Sequence, residues 1–181
     1  MRHRFKLHPD SQCGAASQIE AEVTRSRSGN LTLHYFVAGN IDKLLMPSLA
    51  ASVRTDGLWR HSCFEAFVCA PPLANYFEFN FAPSTQWAAY RFDRYREGMA
   101  IASEIGAPHI EIHSSGGGFE LQVSLALKPL TNLAVGAAWR LGLSAVLEEA
   151  DGRKSYWALA HPPGNADFHH ADCFALELPA P

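Results

Sequence analysis

Between Leu58 and Phe92 the chain runs Leu58-Trp59-Arg60-His61-Ser62-Cys63-Phe64-Glu65-Ala66-Phe67-Val68, then Tyr76-Phe77-Glu78-Phe79-Asn80-Phe81-Ala82-Pro83, then Trp87-Ala88-Ala89-Tyr90-Arg91-Phe92. Large apolar residues recur there at every second position, the period at which a strand returns to the same face. Phe64, Ala66 and Val68 therefore share a face, as do Phe77, Phe79 and Phe81, and these side chains are expected in the core. Glu65 falls on the opposite face with Cys63 and Phe67, and Glu78 falls there with Asn80. A chain of this pattern is committed to sheet, with fat on one side and hydrogen-bonding groups among aromatics on the other.

The same period extends along most of the sequence. Ile19, Ala21 and Val23 alternate with Glu20, Glu22 and Thr24, the Ser28-Gly29-Asn30 turn follows, and Leu31, Leu33, Tyr35 and Val37 return as a hairpin. A second hairpin joins His109 to His113 with Phe119 to Leu127 through the glycine-rich turn Ser114 to Gly118. Trp139 to Ala145 and Ser155 to Ala160 flank the turn Asp151-Gly152, and a last strand is expected over Cys173 to Leu178. About ten short strands predict an all-β protein: an antiparallel β-sandwich of jelly-roll or immunoglobulin-like type with little helix. The segments least like strands, Ile41 to Ala51 and Glu97 to Ala107, have room for a helical turn. No linker or repeat divides residues 1–181, so one domain is expected.

Composition narrows the partners. With 181 residues, 48% of them hydrophobic and 18% charged, the chain is long enough to bury about two thirds of its unfolded surface without metal or disulfide staples. A formal charge of -3 offers no broad attraction for phosphate backbones or anionic lipid, which argues against nucleic acid and membrane as partners. Met1 to Asp10 is basic but has no apolar run behind it, as a secretory signal requires, so a cytoplasmic location is expected. Cys13, Cys63, Cys69 and Cys173 have no CxxC spacing and read as free thiols.

The familiar signatures of dinucleotide, phosphate, zinc-protease and serine-hydrolase sites are absent from the sequence, so no catalytic residue is assigned. The positive signal is the polar face. Glu65, Glu78 and Asn80 suit hydrogen bonds to sugar hydroxyls, Trp59 or Trp87 offers a flat surface for the C–H face of a pyranose, and Arg91 is placed to orient a polar group. The plain structural reading of the same residues is a solvated outer face of a sandwich. Two carboxylates on neighbouring strands are also the kit of a glycosidase, which makes an enzyme of sugar or cell-envelope metabolism using Glu65 and Glu78 one alternative. Arg91, Arg94 and Arg96 suit either an anion clamp or structural ties to nearby carboxylates. His161, His169, His170 and Asp167 have donors for zinc or copper, although their spacing matches no standard motif, and Trp157 is either core or a second stacking surface.

Taken in order, Leu58-Trp59, Cys63 to Phe67, Tyr76 to Pro83, Trp87 to Phe92 and the closing Ser155-Tyr156-Trp157, His161 and Asp167-Phe168-His169 resemble the DOMON-like superfamily. Within it, the chain looks most like the bacterial group related to family 9 carbohydrate-binding modules, over about Leu31 to Leu178. The resemblance implies an antiparallel β-sandwich that binds a carbohydrate or sugar-containing metabolite without catalysis, a small molecule or an oligosaccharide. The matching positions are Trp59, Glu65, Glu78, Asn80, Trp87, Trp157 and His169. Family 9 modules often carry calcium and other branches carry haem, so these are the cofactors the resemblance admits, although the expected cofactor is none. A haem- or metal-binding module is a further alternative, with Met46 and Met99 the methionines available as axial ligands. A protein partner covering the aromatic face is another.

Overall fold

The computed structural model describes residues 1–72 and 74–181. In chain order the strands are β1 (Arg2–Arg4), β2 (Lys6–Leu7), β3 (Ala16–Arg25), β4 (Asn30–Gly39), β5 (Cys63–Cys69), β6 (Tyr76–Phe81) and β7 (Trp87–Phe92). They continue with β8 (Ala100–Ile101), β9 (His109–Ser115), β10 (Gly118–Ala126), β11 (Trp139–Glu148), β12 (Lys154–Ala158) and β13 (Leu176–Leu178). One sheet has the order β1-β3-β4-β10-β9, and the other runs β2-β12-β11-β5-β6-β7-β8 with β13 added beside the first half of β11. All strand pairs are antiparallel, and the two sheets pack face to face as a β-sandwich.

The expected alternation places the core. Ile19, Ala21, Leu31, Leu33, Tyr35, Leu121 and Val123 of the first sheet meet Phe64, Ala66, Val68, Phe77, Phe79 and Phe81 of the second, all buried in one cluster. A polar tie crosses this layer: the Tyr35 hydroxyl donates to the Glu65 carbonyl oxygen at 3.1 Å. That bond satisfies a buried hydroxyl and pins the β5 backbone where the candidate site begins.

Helix is as scarce as the sequence predicts and falls in slightly different places. The Ile41 to Ala51 segment holds one 3-10 turn at Ile41–Lys43, whereas Glu97 to Ala107 holds the short strand β8 instead of a helical turn. Two more 3-10 turns occur at Leu58–Arg60 and Ala171–Cys173. The last strand consequently starts at Leu176, not Cys173, because the Cys173 thiol is turned back to the carbonyls of Ala160 and Asp167, each at 3.2 Å. Strands β1 and β2, too short to show a period, were not legible in the sequence. The four cysteines are unpaired, as expected.

Candidate functional site

The second sheet has an outer face that is not solvated. Row by row, Ser144 of β11 stands beside Glu65 of β5, then Asn80 of β6 and Ala88 of β7; one step along, Gly142, Phe67, Glu78 and Tyr90 form the neighbouring row. Three distant segments cover this face. They are the turn at Leu58–Arg60, the loop from Arg94 to Met99, and the chain between Ala166 and Phe174. Gly142 is what lets the last of these approach, since a Cβ there would stand 2.9 Å from the Cys173 carbonyl oxygen. Leu58, Cys63, Phe67, Tyr76, Tyr90, Phe92 and Phe174 consequently form a second, smaller apolar cluster beneath the cover.

Burial of the carboxylates follows. Glu65 is 3% exposed, Glu78 5% and Asn80 0%, so the solvated-face reading does not hold. Ser144 Oγ donates to Glu65 Oε2 at 2.9 Å, and Asn80 Nδ2 donates to Glu78 Oε1 at 2.8 Å. One oxygen of each carboxyl is thereby fixed. Burial pushes the Glu65 carboxyl well above the usual carboxylate range and the nearby Glu78 charge adds to this, with Ser144 and Arg96 opposing. Glu78 is raised by the same desolvation, against the Asn80 hydrogen bond and Arg96. The two carboxyls therefore share a cost of ionisation.

A cavity of about 390 Å³ opens over the pair, lined by Trp59, Glu65, Phe67, Glu78, Phe92, Arg96, Met99, Val146, Tyr156, Ala166, Phe168 and His169. Its volume lies within the range of small-ligand sites. Trp59 is carried on the 3-10 turn that follows Gly57, whose φ of +76° favours a residue without a side chain, and its ring meets Tyr90 edge-on at 5.8 Å. The Tyr90 hydroxyl donates to Asp56 Oδ1 at 2.5 Å and so fastens that turn to the sheet. Tyr156 and Phe168, with ring centroids 6.2 Å apart, form another wall.

The rim is tied by Asp167. Its carboxylate accepts from the Tyr95 hydroxyl at 2.5 Å, from Arg96 Nη2 at 2.7 Å and Nε at 3.2 Å, and from the His169 backbone N–H at 3.1 Å. Burial pulls this carboxyl upward, but the Tyr95 and Arg96 hydrogen bonds together outweigh it and hold it below the usual range. Arg96 adopts φ of +55°, a left-handed conformation uncommon for a residue with a side chain and one that these contacts hold in place. Its backbone N–H donates to the Tyr76 hydroxyl at 3.2 Å, and that hydroxyl in turn bonds His169 Nδ1 at 2.8 Å. Burial, followed by the Arg96 charge, pushes the His169 pKa down to about 4, so the imidazole is neutral. Its Nε2 lies 3.7 Å from Glu78 Oε2; with both groups driven towards neutrality by burial, this is a polar contact and not an ion pair.

The architecture has solved precedents. A Bacteroides uniformis protein assigned a carbohydrate-binding role superposes with a TM-score of 0.65 at 13% identity, over 93% of this chain and 82% of that one. A family 9 carbohydrate-binding module from Caldicellulosiruptor kristjanssonii, solved with cellotriose, gives 0.51 at 10% identity, over 91% and 75%. At these identities the likeness is one of fold. No family model matches the chain, and no curated protein matches it in sequence.

Of the residues singled out in the sequence, Trp59, Glu65, Glu78 and His169 meet at the cavity, and Asn80 lies behind Glu78 as its anchor. Three others are elsewhere. Trp87 is paired with Phe81 on the core side, 4% exposed, with the Arg54 guanidinium 4.2 Å over its ring. Trp157 is core as well, its indole N–H bonded to Ser155 Oγ at 3.1 Å, and its strand neighbour Tyr156 faces the cavity in its stead. Arg91 is exposed and reaches Glu104 at 3.4 Å, away from the cavity. Arg94 pairs with Glu97 and Arg96 with Asp167, so the arginine run does serve as structural ties, although Arg96 also borders the cavity. The histidines do not converge. His161 Nε2 bonds the Lys6 carbonyl oxygen at 2.9 Å and His170 Nδ1 accepts from the Asp172 N–H at 3.2 Å. Among the described residues no cluster of three or more metal-ligating side chains occurs.

Proposed function

We propose that this cavity binds a single sugar, or the sugar part of a small metabolite, without turning it over, and that the chain is a DOMON-like relative of family 9 modules. The observation that carries the reading is the pairing of two buried carboxyls with aromatic walls on a covered sheet face. The carboxyl oxygens not fixed by Ser144 and Asn80 suit ligand hydroxyls, and the rings of Trp59, Tyr156 and Phe168 offer apolar surface for C–H groups. The carbohydrate-binding roles attached to proteins of this fold support it.

Binding suits the site better than glycoside hydrolysis. A glycosidase sets its two carboxyls apart, one protonated as acid and one ionised as nucleophile or base. Here burial raises both.

Calorimetry with the purified protein against neutral and charged monosaccharides tests the proposal. Heat of binding at millimolar sugar, weakened in Trp59→Ala and Glu65→Gln but retained in Arg91→Ala, is expected. Absence of binding to every sugar tried, or equal binding by all variants, would sink it.

A further inference from the structure

Two buried carboxyls can hold a cation as well as hydroxyls, and their placement is specific. Because Glu65 pairs with Asn80 and Glu78 with Phe67, the two glutamates occupy diagonal positions on adjacent strands, about 7–8 Å apart. Each has one oxygen engaged, Glu65 Oε2 by Ser144 and Glu78 Oε1 by Asn80. Around them stand the rings of Trp59, Phe67, Phe92, Tyr156 and Phe168. Aromatic faces carry negative charge density and attract cations, an attraction that grows when water is excluded. Among the described residues the one permanent cation lining the cavity, Arg96, is already matched by Asp167 at 2.7 Å.

We infer that the sugar taken by this cavity carries a protonated amine, seated between Glu65 and Glu78 and against the aromatic walls. The inference rests on the sugar-binding reading for the rest of the ligand, but its charge argument is separate. Two like charges cannot both persist in a buried site without a counter-ion, and in the empty cavity the pair meets that constraint by holding protons. An ammonium group takes over the role of those protons. Binding therefore releases protons from the pair, whereas a neutral sugar displaces none. The other titratable groups packed around the pair are Tyr35, Cys63, Tyr76, Tyr90, Arg96, Tyr156, Asp167 and His169. The Cys63 thiol and the Tyr35, Tyr76 and Tyr90 hydroxyls are pushed upward by burial and stay neutral, Arg96 and Asp167 neutralise one another, and His169 is neutral.

Calorimetric titration of the whole chain at neutral pH with glucosamine, glucose and N-acetylglucosamine, in two buffers of different ionisation enthalpy, tests this. Glucosamine is expected to bind about tenfold or more tightly than glucose, with N-acetylglucosamine no better than glucose and proton release seen for glucosamine alone. The preference is expected to shrink to about twofold or less in Glu78→Gln, an isosteric change whose folding is checked by thermal melting. The wild-type comparison stands even if that variant does not fold. Glucose binding as tightly as glucosamine overturns the inference and leaves the sugar-binding reading intact. If neither glucose, glucosamine nor N-acetylglucosamine binds, the sugar-binding reading and this inference are both overturned.

Discussion

The Tyr76 hydroxyl and His169 Nδ1 lie 2.8 Å apart, and this one bond sets the protonation pattern at the cavity. That hydroxyl accepts the Arg96 N–H through one lone pair and keeps its proton, its pKa being pushed up to about 12, chiefly by burial, so its O–H is free to donate to Nδ1. The imidazole proton is thereby placed on Nε2, facing Glu78 Oε2.

Nitrogen-15 NMR of the histidine rings should accordingly show His169 as the neutral Nε2–H tautomer at pH 6. Tyr76→Phe should mix the tautomers and, by leaving two partners unsatisfied, cost about 1–3 kcal/mol of stability. A protonated His169 at pH 6 in the wild type would contradict the assignment.

Three groups at the cavity should contribute strongly to the pH dependence of stability. In the unfolded chain Glu65 and Glu78 ionise near 4.5, but in the folded protein they keep their protons to higher pH. Above 4.5 the folded state thus binds more protons than the unfolded one, and their contribution to stability falls as pH rises. His169 works the other way, since it is held neutral down to about 4 while an unfolded imidazole protonates near 6.5, so its contribution rises with pH between those values. From about pH 6.5 upward the carboxyl effect outweighs what remains of the histidine one, with a slope of at most about 1.4 kcal/mol per pH unit for each proton, and the buried thiols of Cys63 and Cys173, also raised, act in the same direction at higher pH. The melting temperature is expected to fall from pH 6.5 upward, and Glu65→Gln with Glu78→Gln to flatten that fall; a melting temperature that rises over this range would refute it.

The two tryptophans of the aromatic block should part company. Trp87→Ala empties core volume between the sheets and should cost about 3–5 kcal/mol in denaturant unfolding. Trp59→Ala, at the cavity wall, should leave stability nearly unchanged while weakening ligand binding by about 0.5–1.5 kcal/mol. The reverse pattern would mean that the ligand surface is on the other face.

Asp167 should behave as the fastener of the rim. Removing it in Asp167→Ala frees Tyr95, Arg96 and the His169 N–H together, and limited proteolysis should then cut between Arg94 and Met99 far faster than in wild type. Unchanged cleavage would show that the cover is held by its apolar contacts alone.

Much of this was written in the period of the sequence, and what was not has a physical reason. Alternation alone places Phe64, Phe77, Phe79 and Phe81 in the core and Glu65, Glu78 and Asn80 on the other side, as observed. It cannot reveal that the other side is covered, because the cover comes from Leu58–Arg60, Arg94 to Met99 and Ala166 to Phe174, which are irregular and distant in sequence. Trp87 and Trp157 drew attention as stackers by residue type, yet strand parity decided against them. Trp87 falls opposite Phe81, and Tyr156, one step from Trp157, turns outward. His169 carried a signal as one donor of a histidine-rich segment and as a position of a known pattern, but neither reveals its bond to Tyr76. Arg96 was visible as one of three arginines, but its left-handed backbone and its Asp167 partner are tertiary facts.

The most direct test of the central claim is chemical-shift mapping of the isotope-labelled protein titrated with glucose and glucosamine. A sugar-binding cavity predicts shifts concentrated in the Trp59 indole and in the amides of Glu65, Glu78, Arg96 and His169, with Trp87 and Arg91 still. Saturable shifts centred on another part of the surface, or none with either sugar at millimolar concentration, would contradict it.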